Sequence, residues 1–256
     1  MSAHRPTPWQ LRAVMALTCA SALWPAMAQT SAACTARSAA TVTPVVELYT
    51  SEGCNSCPPA DKWLSRLKSD PNIVGLAFHV DYWDRLGWKD RFASPAYTQR
   101  QAQQQASNGA RFSYTPQVVL DGRDHQDWHS APPPSSAKAR AAATVSLALA
   151  RDGALVTATV QPIANAPARL AAFWAVTEDG HVTAVKAGEN EGVTLPHDFV
   201  VREYKPVAAW DAQPGTPVQL SFTLAPGAAP ERPRSLNLVV LDASTGKPVQ
   251  ALKLGC

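Results

Sequence analysis

Val45-Val46-Glu47-Leu48-Tyr49-Thr50-Ser51-Glu52-Gly53-Cys54-Asn55-Ser56-Cys57-Pro58-Pro59-Ala60-Asp61 is the stretch on which the fold turns. Its first six residues are β-branched, aromatic or apolar around one glutamate, the composition of a buried strand. The strand delivers the chain to a C-x-x-C pair. Pro58-Pro59 fit only the first turn of a helix, where a missing N–H breaks no bond. Ala60, Trp63, Leu64 and Leu67 then recur at helical spacing, Ser69-Asp70-Pro71-Asn72 closes the helix, and Ile73 to Val80 is a second buried-strand run. Strand, helix and strand in so short a span predict a βαβ unit.

Outward from this unit the texture changes twice. Asp81 to Phe92 is aromatic and charged with no clean period, after which Ser94-Pro95 opens a helix running to about Ala106 and Asn108-Gly109 stops it. Tyr114-Thr115-Pro116 leads into a strand, Gln117 to Leu120, closed by Asp121-Gly122. Residues 42–130 are therefore expected to form one α/β domain. Ala131-Pro132-Pro133-Pro134-Ser135-Ser136 is stiff and polar, and a linker is placed over 131–140. Short alternating runs separated by Gly, Pro or Asp then continue to the C-terminus, which predicts an all-β antiparallel sandwich over 141–256.

Toward the N-terminus, residues 1–28 read as a secretory signal. His4, Arg5 and Arg12 precede the apolar run Ala13 to Leu23, and Ala26-Met27-Ala28 is a cleavage site. The run is too short to span a bilayer, so the expectation is a periplasmic or secreted protein with no membrane anchor once it is cleaved near Ala28. Residues 29–41 are small and polar and read as a tether. Lys+Arg number 23 against 20 Asp+Glu, a net +3 with no dense basic run, and this excludes a nucleic-acid binder.

Of five cysteines, Cys19 leaves with the signal. The remaining four, an even number in an exported chain, favour disulfides. The simplest of three pairings joins Cys54 to Cys57 and Cys34 to Cys256, the second a structural tie between the ends. Cys54-Asn55-Ser56-Cys57 lies between a strand and a helix start, where unpaired N–H groups stabilise a thiolate. Cys54, at the cap, is expected to attack and Cys57, one turn inside, to resolve. A zinc site would need a second ligand pair, and none lies nearby in sequence. No cofactor and no resident metal are expected. His79 with the two cysteines would suit a copper-carrying module, the alternative reading. His125 and His129, among Asp121, Asp124 and Asp127, read as solvated, and His181 and His197 carry no readable signal.

The motifs Val46 to Asp61, Phe78-His79-Val80-Asp81-Tyr82-Trp83-Asp84, Leu86-Gly87-Trp88-Lys89-Asp90 and Tyr114-Thr115-Pro116-Gln117-Val118 resemble the DUF1223 family of exported bacterial proteins and, more broadly, the thioredoxin-like superfamily. Gly188-Glu189-Asn190-Glu191-Gly192, His197 and Arg202 resemble that family's second half. The resemblance implies a thioredoxin-like fold for 42–130, with Thr115-Pro116 as a cis-proline facing the cysteines and Glu47 as a buried acid assisting proton transfer. Tyr82 and Trp83 either line a recognition surface with Thr115 and Pro116 or pack the seam between the halves. The expected activity is that of an exported thiol–disulfide oxidoreductase or redox relay acting on a protein thiol or disulfide client.

Overall fold

The computed structural model describes residues 1–3, 34–134, 140–226 and 232–256. The expected signal beyond its first three residues, the start of the tether and part of the 131–140 linker lie outside them. The described chain opens with β1 (Cys34–Arg37), β2 (Val45–Thr50), α1 (Pro58–Ser65), β3 (Val74–His79), α2 (Pro95–Ser107), β4 (Gln117–Leu120) and β5 (Arg123–Asp124). It continues as β6 (Val145–Asp152), β7 (Leu155–Pro162), β8 (Arg169–Glu178), β9 (His181–Ala184), β10 (Thr194–His197), β11 (Val200–Asp211), β12 (Val218–Thr223), β13 (Arg234–Asp242) and β14 (Pro248–Leu254). Ser94 caps α2 with its hydroxyl on the Ala96 N–H, and Pro95 fills the first turn.

The expected pair of a thioredoxin-like α/β domain and a separate sandwich is overturned. One mixed sheet runs through both halves in the order β14-β13-β8-β11-β3-β2-β4-β5. The join is made by β11 against β3, where Val200 lies beside Ala77 and the Ala77 N–H donates to the Phe199 carbonyl at 2.8 Å. Residues from Ala33 to Cys256 accordingly form one compact unit in which strand predominates and the described residues hold two α-helices. The reason lies in the edge of β3. A βαβ unit leaves that edge with free N–H and C=O groups, and here a strand from more than a hundred residues later satisfies them.

Packing follows the pleat. Val46 and Leu48 of β2 meet Ala60, Trp63 and Leu64 of α1, while Val45 and Tyr49 meet Tyr97 of α2 on the other face. Farther along the sheet, the α1 side is covered by the antiparallel sheet β1-β6-β7-β12, whose Val145, Leu147, Val156 and Phe222 pack on Leu170, Trp174 and Leu238. Strands β2 and β3 are buried at every position on both faces and are largely apolar, whereas β6 and β7 alternate because one of their faces meets water. Gly75 makes the seam possible. A Cβ there would stand 2.9 Å from the Phe199 ring.

The N-terminal segment also departs from expectation. Cys34–Arg37 is not tether but an edge strand paired with β6; the expected disulfide between Cys34 and Cys256 is present, across 222 residues. The strand pairing sets Cys34 beside Arg151, whose guanidinium donates to the Cys256 carbonyl at 2.6 Å and so brings the two cysteines together. Among the described residues no helix is long and apolar enough to cross a membrane.

Candidate redox site

Cys54 and Cys57 form a disulfide in the loop between β2 and α1. The cap falls three residues later than expected: Cys57, not Cys54, is the N-cap and Cys54 lies in the preceding turn, with the Cys57 N–H donating to the Cys54 carbonyl at 3.2 Å. Both cysteines are 0% exposed, so Cys54 is not the more accessible of the two, while Asn55 and Ser56 between them face solvent. Around Cys54 Sγ stand two hydroxyls, those of Thr115 and Ser56, each at 3.4 Å. Thr115-Pro116 is a cis peptide, and the Trp83 indole N–H donates to the Thr115 hydroxyl at 2.8 Å. Tyr82 hydrogen-bonds Gln101. Beside Pro116 runs an open apolar groove lined by Phe112, Tyr114, Val118 and Trp128.

The cover over the disulfide comes from the far half of the chain. Asn190 donates to the carbonyls of both Glu52 and Cys54, at 2.9 and 3.0 Å, and the Glu189 carboxylate accepts from the Asn55 N–H at 3.2 Å. Gly188, at φ +78°, lets this turn approach closely, since a Cβ would meet Trp88 Cβ at 3.2 Å.

Beneath the disulfide loop lies a buried polar cluster. Glu52 follows β2, Asp61 sits in the first turn of α1, His79 ends β3, Asp90 lies within the aromatic stretch and His197 ends β10. His79 Nδ1 lies 2.7 Å from Asp90 Oδ2, and Asp90 also accepts the backbone N–H groups of Glu52 and Phe92 at 2.9 and 2.8 Å. Burial pushes the Asp90 carboxyl up, but His79 and those N–H donors prevail and hold it below the usual range. His197 stands between Glu52 Oε1 at 3.5 Å and Asp61 Oδ1 at 3.6 Å. Burial lowers its pKa, yet the close carboxylates of Asp61 and Glu52 outweigh that and push it up to about 9. Glu52 is likewise raised by burial and lowered overall by His197, Thr183 and Trp88.

A family model described as "Protein of unknown function (DUF1223)" matches residues 45–241. The chain belongs to the DUF1223 family. A crystal structure of a structural-genomics protein from Agrobacterium tumefaciens is similar at 27% identity, with a TM-score of 0.62 over 84% of this chain and 94% of that one. No curated protein matches the chain.

In this DUF1223 protein Glu47 does not serve the cysteines. The pleat of β2 turns it to the α2 face, away from α1, where Arg100 binds it at 2.7 and 3.0 Å, Tyr49 donates at 2.6 Å and Gln104 at 3.1 Å. Thr115, Pro116 and Trp83 are gathered at Cys54, as above. His79 turns to Asp90 and His197. Asp61, Asp90, Asn190 and His197 carry no signal individually. What could have marked them is their place inside the motifs around Cys57, Trp88 and Gly188.

Proposed function

We propose that this protein is an exported thiol–disulfide oxidoreductase, or a relay of the same chemistry, whose Cys54–Cys57 pair exchanges electrons with a protein client. The observation that carries the reading is a C-x-x-C disulfide at the start of α1 with the Thr115 hydroxyl 3.4 Å from Cys54 Sγ. Two disulfides in one chain suit an oxidising compartment outside the cytosol.

The chemistry is reversible exchange. In the oxidised form a client thiolate attacks Cys54 Sγ, the bond to Cys57 breaks, and its electron pair stays on Cys57 at the helix cap. A second client thiolate then attacks the client sulfur of the mixed disulfide and Cys54 leaves. Two electrons have passed to the protein, and the client holds a disulfide. In reverse, Cys54 attacks a client disulfide and Cys57 resolves. The Thr115 and Ser56 hydroxyls can donate to a developing thiolate on Cys54.

The two prolines set the favoured direction. Pro58 and Pro59 remove two of the free N–H groups that a helix start usually offers, and the Ala60 and Asp61 N–H groups are already given to the Cys57 carbonyl. The reduced pair is therefore poorly stabilised, which makes it a reductant with a potential expected near −270 mV or lower, the strongly reducing end of dithiol carriers. The apolar groove beside Pro116 supports a peptide client.

A Cys57→Ser variant tests the reading. Incubated with oxidised exported proteins, it is expected to retain mixed disulfides at Cys54 that thiol reductant releases. Absence of adducts from a variant whose Cys54 thiol titrates normally overturns the proposal.

A further inference from the structure

Asp61, His79 and His197 come from three separate elements, and their ligand atoms all lie within 4.8 Å of one another. All three are buried, His79 to 1% exposure and His197 to 3%. Asp61 is already engaged through Oδ2 by the Thr50 hydroxyl at 2.8 Å, and its Oδ1 faces His197 Nδ1. The histidines are not satisfied. Neither His79 Nε2 nor either ring nitrogen of His197 has a hydrogen-bond partner, nor has Glu52 Oε1. The two His197 nitrogens meet only long ion-pair contacts, 3.5 Å to Glu52 Oε1 and 3.6 Å to Asp61 Oδ1, and His79 Nε2 has no hydrogen-bond partner, a cost that a bound ligand would remove.

We propose that Asp61 Oδ1, His79 Nε2 and His197 Nδ1 bind a divalent cation of the zinc class. Two features make the cluster more than a group of neighbours. His79 has a carboxylate bonded at the nitrogen turned away from the centre, Asp90 at 2.7 Å from Nδ1, while Glu52 Oε1 faces His197 Nε2 at 3.5 Å without a hydrogen bond. A carboxylate bonded behind a ligating histidine is the arrangement that fixes tautomer and ring orientation in metal sites. A His79 ring that donates its Nδ1–H to Asp90 keeps the Nε2 lone pair for a ligand. The second feature is a rigid wall. Phe92 packs against His79 and His197, its ring centroid 5.2 and 5.7 Å from theirs, and limits their rotation.

Two imidazoles and one carboxylate are the donor types of zinc and its neighbours among first-row cations, and three protein ligands leave a fourth position for water. Ligand atoms around tetrahedral zinc at bonds of about 2.0–2.1 Å stand roughly 3.3 Å apart. The cluster must therefore contract by up to about 1.5 Å, within the reach of small side-chain rotations. Asp61 lies four residues beyond Cys57 in the same helix start, so the cation would share that turn with the disulfide. The inference rests on none of the cysteine chemistry.

The test uses the oxidised protein from Gln29 to Cys256, without the signal and its Cys19, in which all four cysteines are tied in disulfides and cannot ligate. Zinc titration by calorimetry is expected to give one equivalent, and cobalt to give the intense visible bands of a four-coordinate site. His79→Gln and His197→Gln are each expected to weaken zinc binding about 100-fold, and Asp90→Asn about 10–100-fold. A double His125→Gln/His129→Gln variant should bind as the parent does. Circular dichroism in chelator shows which variants keep the fold, and Asp90→Asn, outside the ligand set, serves if a histidine variant does not. Absence of stoichiometric uptake by the parent protein, or parental affinity in the folded variants, overturns the proposal. Failure of the Cys57→Ser trap would leave it standing.

Discussion

The eight-stranded sheet carries buried charge on both faces, and the two sites are built differently. On the α2 face Glu47 is saturated: Arg100 holds it bidentate, Tyr49 and Gln104 complete the set, and Arg100 also stacks on Phe173. On the α1 face Glu52, Asp61, His79 and His197 meet at longer range and leave lone pairs and N–H groups over. A carboxylate whose two oxygens are both fully bonded, as those of Glu47 are, specifies structure and has nothing left for a ligand. A cluster that stays incomplete in a packed interior retains the means to bind or to move protons.

The contrast can be broken at its strongest point. Arg100→Met leaves Glu47 as an uncompensated buried charge, so urea unfolding should show a loss of about 3–5 kcal/mol, while Glu47→Gln added to it should restore part of that. On the other face the change should have the opposite sign. Zinc at roughly one hundred times its dissociation constant is expected to raise the stability of the oxidised protein by about 2.7 kcal/mol, and chelation to reverse it. Arg100→Met should keep this response and His197→Gln should lose it. Gly75→Ala probes the seam holding the two clusters in one sheet; crowding against Phe199 should cost about 1–3 kcal/mol in the same unfolding measurement.

A smaller effect separates the faces in alkali. Burial pushes Tyr97, beside the Glu47 cluster, up to about 12 from the ordinary value of 10.0. The folded form therefore favours its neutral phenol. The unfolded chain ionises first, so this stability is complete below pH 10, declines above it and is gone near pH 12, amounting to on the order of 2 kcal/mol. Tyr97→Phe should flatten that limb of the stability profile. The smallest change concerns access. Asn190→Ala removes two bonds from the turn covering the disulfide and is expected to speed its reduction by dithiothreitol severalfold with little change in unfolding midpoint.

What was legible in the chain was local. The apolar run before Cys54, the two prolines after Cys57 and the spacing of Ala60, Trp63 and Leu64 define a strand, a loop and a helix without help from elsewhere. Sheet partnership is not local. Nothing in Val200 or Ala77 names the other, and a proline-rich stretch at 131–136 reads the same whether it separates two domains or crosses one. The same limit hid the site. Glu47 stood out as an acid in an apolar run, but period-two geometry sends it to the face opposite α1. Asp61, His79 and His197, at unrelated spacings, become a group only when α1, β3 and β10 converge.

The tie between Cys34 and Cys256 gives the molecule the connectivity of a closed ring. A protease that cuts once anywhere between them opens the ring without releasing a fragment, and the two pieces separate only on reduction. In an environment rich in proteases a single nick is thus survivable. The redox state of this one bond, apart from Cys54–Cys57, decides whether the damaged protein stays one molecule.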